Sequence, residues 1–217
     1  MARLKVGVLI SGSGTNLQAL IDDCARPAAE SEIVLVLSNR ANAFGLTRAK
    51  RAGLPHRVID HRAYESRAAF EQALTEALEA SGVELVCLAG FMRVLTAEFV
   101  ERWSDRLINI HPSLLPAFKG LDTHARAIEA GVRFAGCTVH FVRSEVDDGP
   151  VIVQAAVPVL PDDTVDSLAA RVLREEHRCL PLAVCLIAQG RVAIVGERCV
   201  IDAAAPDSAL INPAPVP

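Results

Sequence analysis

Two polar residues close an otherwise apolar run. Leu107-Ile108-Asn109-Ile110-His111 is followed by Pro112. Read as a strand over Leu107–Ile110, the run sets Asn109 and His111, two apart, on the same side. An amide beside an imidazole can hold an oxyanion and supply a proton. A structural histidine capping the strand end is the alternative. The loop Arg143–Pro150 carries Glu145, Asp147 and Asp148 just ahead of Gly149. On its own it is solvated turn chemistry; beside a histidine, one of its carboxylates would orient the ring.

A second signal follows the first apolar run. Ser11-Gly12-Ser13-Gly14-Thr15-Asn16 joins a strand to a helix, where glycines permit a tight turn and free N–H groups favour an anion. A dinucleotide site asks for Gly-x-Gly-x-x-Gly, but Leu17 holds the third glycine's place. The ribose-binding acid after the second strand is also missing, since that stretch reads Ser38-Asn39-Arg40. NAD is therefore disfavoured, and Arg40 leaves only NADP open. With no Gly-Lys-Ser/Thr, a nucleoside-triphosphate loop is excluded. A single phosphate on a small substrate fits better, with a bare strand–helix turn as the other reading.

Other candidates are less specific. His140 alternates within a strand and faces either the site or the core. His124 and His177 fall on helices, His56 and His61 near loops. Phe91-Met92-Arg93-Val94-Leu95 follows a strand end and would line an apolar pocket or pack in the core.

These residues need elements to hold them. Strands are expected at Leu4–Ile10, Ile33–Leu37, His56–Ile59, Leu85–Ala89 and Leu107–Ile110. Helices are expected at Asn16–Ala25, Phe44–Ala52, Tyr64–Ala80, Thr96–Trp103 (with Thr96 as N-cap) and Thr123–Ala130. Such alternation predicts an α/β, Rossmann-like, mostly parallel twisted sheet with helices on both faces. Gly136–Val142 and Val151–Val157, joined by the short acidic loop, should be antiparallel neighbours. A long helix from Thr164 to about Gln189 and a strand at Val192–Val195 complete a C-terminal antiparallel part. Residues 1–200 read as one domain and 201–217 as an irregular, proline-bearing tail, partly mobile.

The 217-residue chain is 51% hydrophobic, enough for a full core. It carries 22 basic and 26 acidic residues and only 4% aromatics. No basic excess or base-stacking surface points to nucleic acid. No apolar stretch of about 18 residues marks a membrane span, and the first apolar run is too short for a signal peptide. Six cysteines without a Cys-x-x-Cys pair read as reduced, buried thiols of a cytoplasmic protein. No Cys/His spacing suggests zinc or another metal.

Four segments carry a resemblance: Ser11–Ala19, Ala89–Leu95, Asn109–Pro116 (Asn-Ile-His-Pro-Ser-Leu-Leu-Pro) and Gly136–Val142. In order, and across about residues 4–195, the chain resembles the phosphoribosylglycinamide formyltransferases, a folate-dependent formyltransferase family of purine biosynthesis. The resemblance implies a reaction in which 10-formyltetrahydrofolate gives its formyl group to the amine of 5-phosphoribosylglycinamide, with no metal. It implies Asn109, His111 and Asp147 as catalytic residues; Asp147 is assigned by its spacing from Gly149-Pro150, and Asp148, where some relatives have Gly or Ala, is the alternative. Gly14, Thr15 and Asn16 would hold the substrate phosphate and Glu176 the ribonucleotide. Arg67, Met92, Arg93, Val94, Leu95, Asn109 and the loop Arg143, Ser144, Glu145, Val146 and Asp147 would meet the folate. Methionyl-tRNA formyltransferase and formyltetrahydrofolate hydrolase share the Asn-His-Asp core. The first is disfavoured because the chain ends soon after Val195 without a basic stretch, the second because the first strand begins at Leu4. A non-enzymatic folate- or nucleotide-binding module would lack the catalytic residues. Oligomeric state stays open.

Overall fold

The computed structural model describes residues 2–204, 210 and 212. Its central sheet has the order β3-β2-β1-β4-β5-β6-β7. The strands are β1 (Leu4–Ile10), β2 (Ser31–Ser38), β3 (His56–Val58), β4 (Leu85–Leu88), β5 (Leu107–His111), β6 (Phe134–Phe141) and β7 (Val151–Pro158). β1 to β5 pair in parallel, while β6 runs antiparallel to both β5 and β7. The architecture is thus the mostly parallel α/β sheet expected. The chain steps outward from β1 to β2 and β3, then returns to β4 on the other side of β1. That reversal opens a crevice at the carboxyl ends of β1 and β4, where open α/β sheets receive ligands.

Strand alternation sorts side chains into two cores. Val6, Val8 and Ile10 of β1, Cys87 of β4, Ile108 and Ile110 of β5, and Cys137 and Val139 of β6 face α1 (Thr15–Cys24) and α6 (Val165–Ala188). Leu9, Leu35, Leu37, Val86, Leu88 and Leu107 face α3 (Arg67–Ala80) and α4 (Ala97–Arg102). Asn109 and His111 share the parity of Leu107. They emerge on this second face, at the carboxyl end of β5.

Helix ends follow local chemistry. Thr96 caps α4, its hydroxyl accepting from the Phe99 N–H. Thr164 and Ser167 form a reciprocal capping box at the start of α6. α2 (Phe44–Arg51) and α5 (Thr123–Glu129) complete the helices of this region.

Most elements shift by a residue or two at their ends, and the larger differences lie at the start of α3 and after β8. The helix expected from Tyr64 begins at Arg67, because the Ser66 hydroxyl accepts from Ala69 N–H and caps it there. A 3-10 turn at His61–Ala63 precedes it, capped by Asp60. β8 (Val192–Val195) is joined by β9 (Arg198–Ile201) in a hairpin, so regular structure crosses the 200/201 boundary. Most of the tail expected to be irregular lies outside the described residues. No helix among the described residues is long and apolar enough to cross a membrane.

Candidate active site

Asn109 pairs across the ladder with His140, and His111 with Thr138, so all four side chains share one face of β5 and β6. His140 Nδ1 donates to the Phe141 carbonyl, 2.9 Å away. Its Nε2 is then an acceptor, and it meets the Asn109 Nδ2 at 3.3 Å. Burial pushes the His140 pKa below its usual value, in keeping with a neutral ring. His140 thereby fixes which end of the Asn109 amide is which. It engages one N–H of that amide; the other has no protein partner among the described residues.

His111 is buried. Its Nε2 lies 3.0 Å from the Phe118 carbonyl, an acceptor only, and its Nδ1 lies 3.3 Å from Asp147 Oδ2. Asp147 also accepts the Gly120 N–H at 2.9 Å, and its other oxygen stands 3.8 Å from His140 Nε2. The structure therefore brings Asn109, His111 and Asp147 to one place and adds His140.

Local backbone decides which aspartate enters. Asp147 has φ 53°, a left-handed conformation that turns its carboxylate inward. Asp148 points outward to an ion pair with Lys119, which holds its carboxyl below the usual range. A Cβ on Gly149 would fall 1.7 Å from the Phe141 carbonyl oxygen, so only glycine lets the loop return this close to β6. The facing loop is held from beneath. The Thr138 hydroxyl donates to Ser113 O and accepts from Leu115 N–H, and Gln154 donates to Leu115 O. This support, which delivers Phe118 O and Gly120 N–H, was not visible in the sequence, because its partners lie 23 to 39 residues apart.

These groups line a cleft of about 740 Å³. Met92, Arg93, Val94, Leu95, Arg143, Ser144, Glu145 and Val146 all border it. Met92, Val94 and Val146 present exposed apolar surface. Arg143 is tied to Asp105 at 2.8 Å, with Glu197 at 3.7 Å. Leu121, Asp122 and His124 line the cleft too, and sequence reasoning did not select them for it. Arg67 is the exception among the expected folate contacts: it is exposed at the start of α3 and is not part of the cleft wall. The helix cap at Ser66 sets it there.

The glycine turn forms a separate feature. Gly14, at φ 68°, is the N-cap of α1 and brings no side chain to the first turn, whose N–H groups lack intrahelical partners. A Cβ on Gly14 would lie 2.5 Å from Gly45 Cα, and Gly45 N–H donates to Gly12 O. The start of α2 is thus packed against the start of α1, and both helix dipoles favour an anion at the turn. Thr15 lines a second cleft, of about 770 Å³, with Arg48 and His177. The Asn16 side-chain Nδ2 donates to Glu176 Oε2 at 2.7 Å, while its backbone N–H lies in the first turn beside that of Thr15. Burial raises the Glu176 pKa.

The formyl transferase family matches residues 4–184. The trifunctional purine biosynthetic protein adenosine-3 of Gallus gallus is 55% identical over 195 residues, 90% of this chain and 19% of that protein. The chain thus spans about a fifth of the length of that relative. The phosphoribosylglycinamide formyltransferase of Haemophilus influenzae is 41% identical over 209 residues, 96% of this chain and 99% of that protein. Among solved structures, glycinamide ribonucleotide transformylase 1 from Symbiobacterium toebii superposes with a TM-score of 0.90 at 53% identity. The match covers 92% of this chain and 94% of that one.

Proposed function

The chain belongs to the formyl transferase family, and from that membership and the cleft we propose that it moves the formyl group of 10-formyltetrahydrofolate to the amine of 5-phosphoribosylglycinamide. The observation that carries this reading is the meeting of Asn109, His111 and Asp147 at one wall of the cleft of about 740 Å³.

The amine nitrogen attacks the formyl carbon, and the carbonyl electrons move onto oxygen. The free N–H of Asn109 donates to that oxyanion. One such donor is typically worth about 3 kcal/mol, on the order of a hundredfold or more in rate. His111 stabilises the same charge through Nδ1. At 3.3 Å its contact with Asp147 is long enough for a bound oxygen to share the proton. As the intermediate collapses, the proton lost by the amine reaches the folate nitrogen, which leaves with the electrons of the broken C–N bond. Asp147 holds the His111 ring, and Gly120 N–H holds Asp147.

The folate rings lie against Met92, Val94, Leu95 and Val146. The ribonucleotide phosphate sits at the N–H groups of Gly14, Thr15 and Asn16, and Glu176 meets its sugar. The six free cysteines fit a reducing, cytoplasmic setting. A formyl-transfer assay offering the ribonucleotide, tRNA and water as competing acceptors tests the reading. Formyl found on the ribonucleotide alone supports it; transfer to tRNA or release as formate with the ribonucleotide untouched would overturn it.

A further inference from the structure

The apolar wall Met92–Leu95 belongs to neither a helix nor a strand, and it carries the most exposed apolar side chains of that side of the cleft, Met92 and Val94. Two buried side chains hold its ends. At the front, Met92 N–H donates to the Ser11 hydroxyl at 2.8 Å, and that hydroxyl donates onward to Asn39 Oδ1 at 2.7 Å. At the back stands Glu71 of α3, only 3% exposed. Thr96 N–H approaches its two carboxylate oxygens at 3.1 and 3.2 Å, and the Thr96 hydroxyl donates to Oε2 as well. The same hydroxyl accepts from Phe99 N–H and starts α4.

Glu71 forms no ion pair among the described residues; its buried charge is met by the donors of Thr96 alone. A carboxylate is an acceptor with four lone-pair sites, so it can take the N–H and the O–H of one residue together, which a neutral apolar side chain cannot do. Charge-assisted bonds of this kind fix geometry more firmly than neutral ones. They set the point from which the wall must run back to Met92.

We propose that Glu71, which touches no substrate, is a positioning residue for the folate: it clamps Thr96 and so sets the Met92–Leu95 wall against which the ring system lies. The inference rests on the folate reading of this cleft. Ser11 has a different part. It bonds the wall at Met92 and also opens the glycine turn, so its loss disturbs both substrates, whereas the loss of Glu71 disturbs one.

The test is steady-state kinetics of Glu71→Ala and Glu71→Gln, with unfolding midpoints and calorimetric binding of a non-transferable 10-formyl folate analogue. For Glu71→Ala the folate KM should rise on the order of tenfold, because the wall must then be ordered at the expense of binding, while the ribonucleotide KM stays within about twofold. Gln keeps one acceptor oxygen and should recover most of the loss. If Glu71→Ala does not fold, Thr96→Val takes its place and should show the same one-sided KM change. A folded variant with normal folate KM, or equal losses for both substrates in step with lowered stability, would overturn the proposal. Wild-type protein that binds no folate analogue would instead overturn the folate reading itself, so the two failures are distinct.

Discussion

Asn16 Nδ2 donates to Glu176 Oε2 at 2.7 Å, joining the first turn of α1 to the middle of α6 across 160 positions of chain. This bond presents Glu176 beside the glycine turn and fixes the start of α1.

Glu176→Gln should therefore raise the ribonucleotide KM while leaving the folate KM nearly unchanged. Its effect on stability has the opposite sense. Burial raises the Glu176 pKa above its ordinary 4.5. The group's contribution is favourable below the unfolded pKa and is lost as pH rises through the folded value. Gln escapes that loss and still accepts from Asn16. The unfolding midpoint of the variant should gain on wild type as pH rises above the ordinary value of 4.5. A midpoint that falls behind over that range, with KM unchanged, would contradict this account.

Much of this arrangement was legible in the chain. The parallel strands read as apolar runs because both their faces are buried, and parity alone aligned Asn109 with His111. The antiparallel pairing of β6 and β7 followed from the shortness of the 143–150 loop. The remainder depends on contacts between distant residues. Nothing near Glu71 in sequence names Thr96, 25 residues on. Alternation left open whether His140 faces the site or the core, and it named no partner for the ring. Neither the left-handed backbone at Asp147 nor the close approach of Gly149 to Phe141 has a signature in residue types alone. The expected start of α3 falls three residues early because the apolar periodicity reaches back to Tyr64, whereas the Ser66 cap begins the helix at Arg67. β9 is absent from the expected elements, because Val192–Val195 reads as the last strand and the four residues Arg198–Ile201 are too few to stand out.

The two aspartates should separate sharply. Asp147→Asn is expected to lower kcat on the order of a hundredfold, since it removes the carboxylate that holds His111. Asp148→Asn gives up an exposed ion pair with Lys119 and should change kcat by no more than about twofold. Parallel kinetics on the two variants check this, and the reverse order would move the role to Asp148.

Gly14→Ala tests the anion cradle. The new Cβ meets Gly45 Cα at 2.5 Å in a left-handed conformation, which for an L-residue costs about 1–2 kcal/mol before the clash is counted. Stability should fall and the ribonucleotide KM should rise, while binding of a folate analogue is retained. Equal loss of both ligands would argue that the turn only supports the fold.

Thr164→Ala provides a control for fold against function. Losing the cap that bonds Ser167 N–H at 3.2 Å should cost about 1 kcal/mol. Denaturant unfolding should show the loss, and both KM values and kcat at ambient temperature should not move.

The central claim is that His111 acts on the transition state. The oxyanion and the proton transfer exist only there, so His111→Ala should depress kcat on the order of a hundredfold or more while the ribonucleotide KM stays within about threefold. Full kinetics measured with the unfolding midpoint decide the matter. A folded His111→Ala protein with low kcat and near-normal KM is the predicted result; a folded one with near-normal kcat would contradict the mechanism.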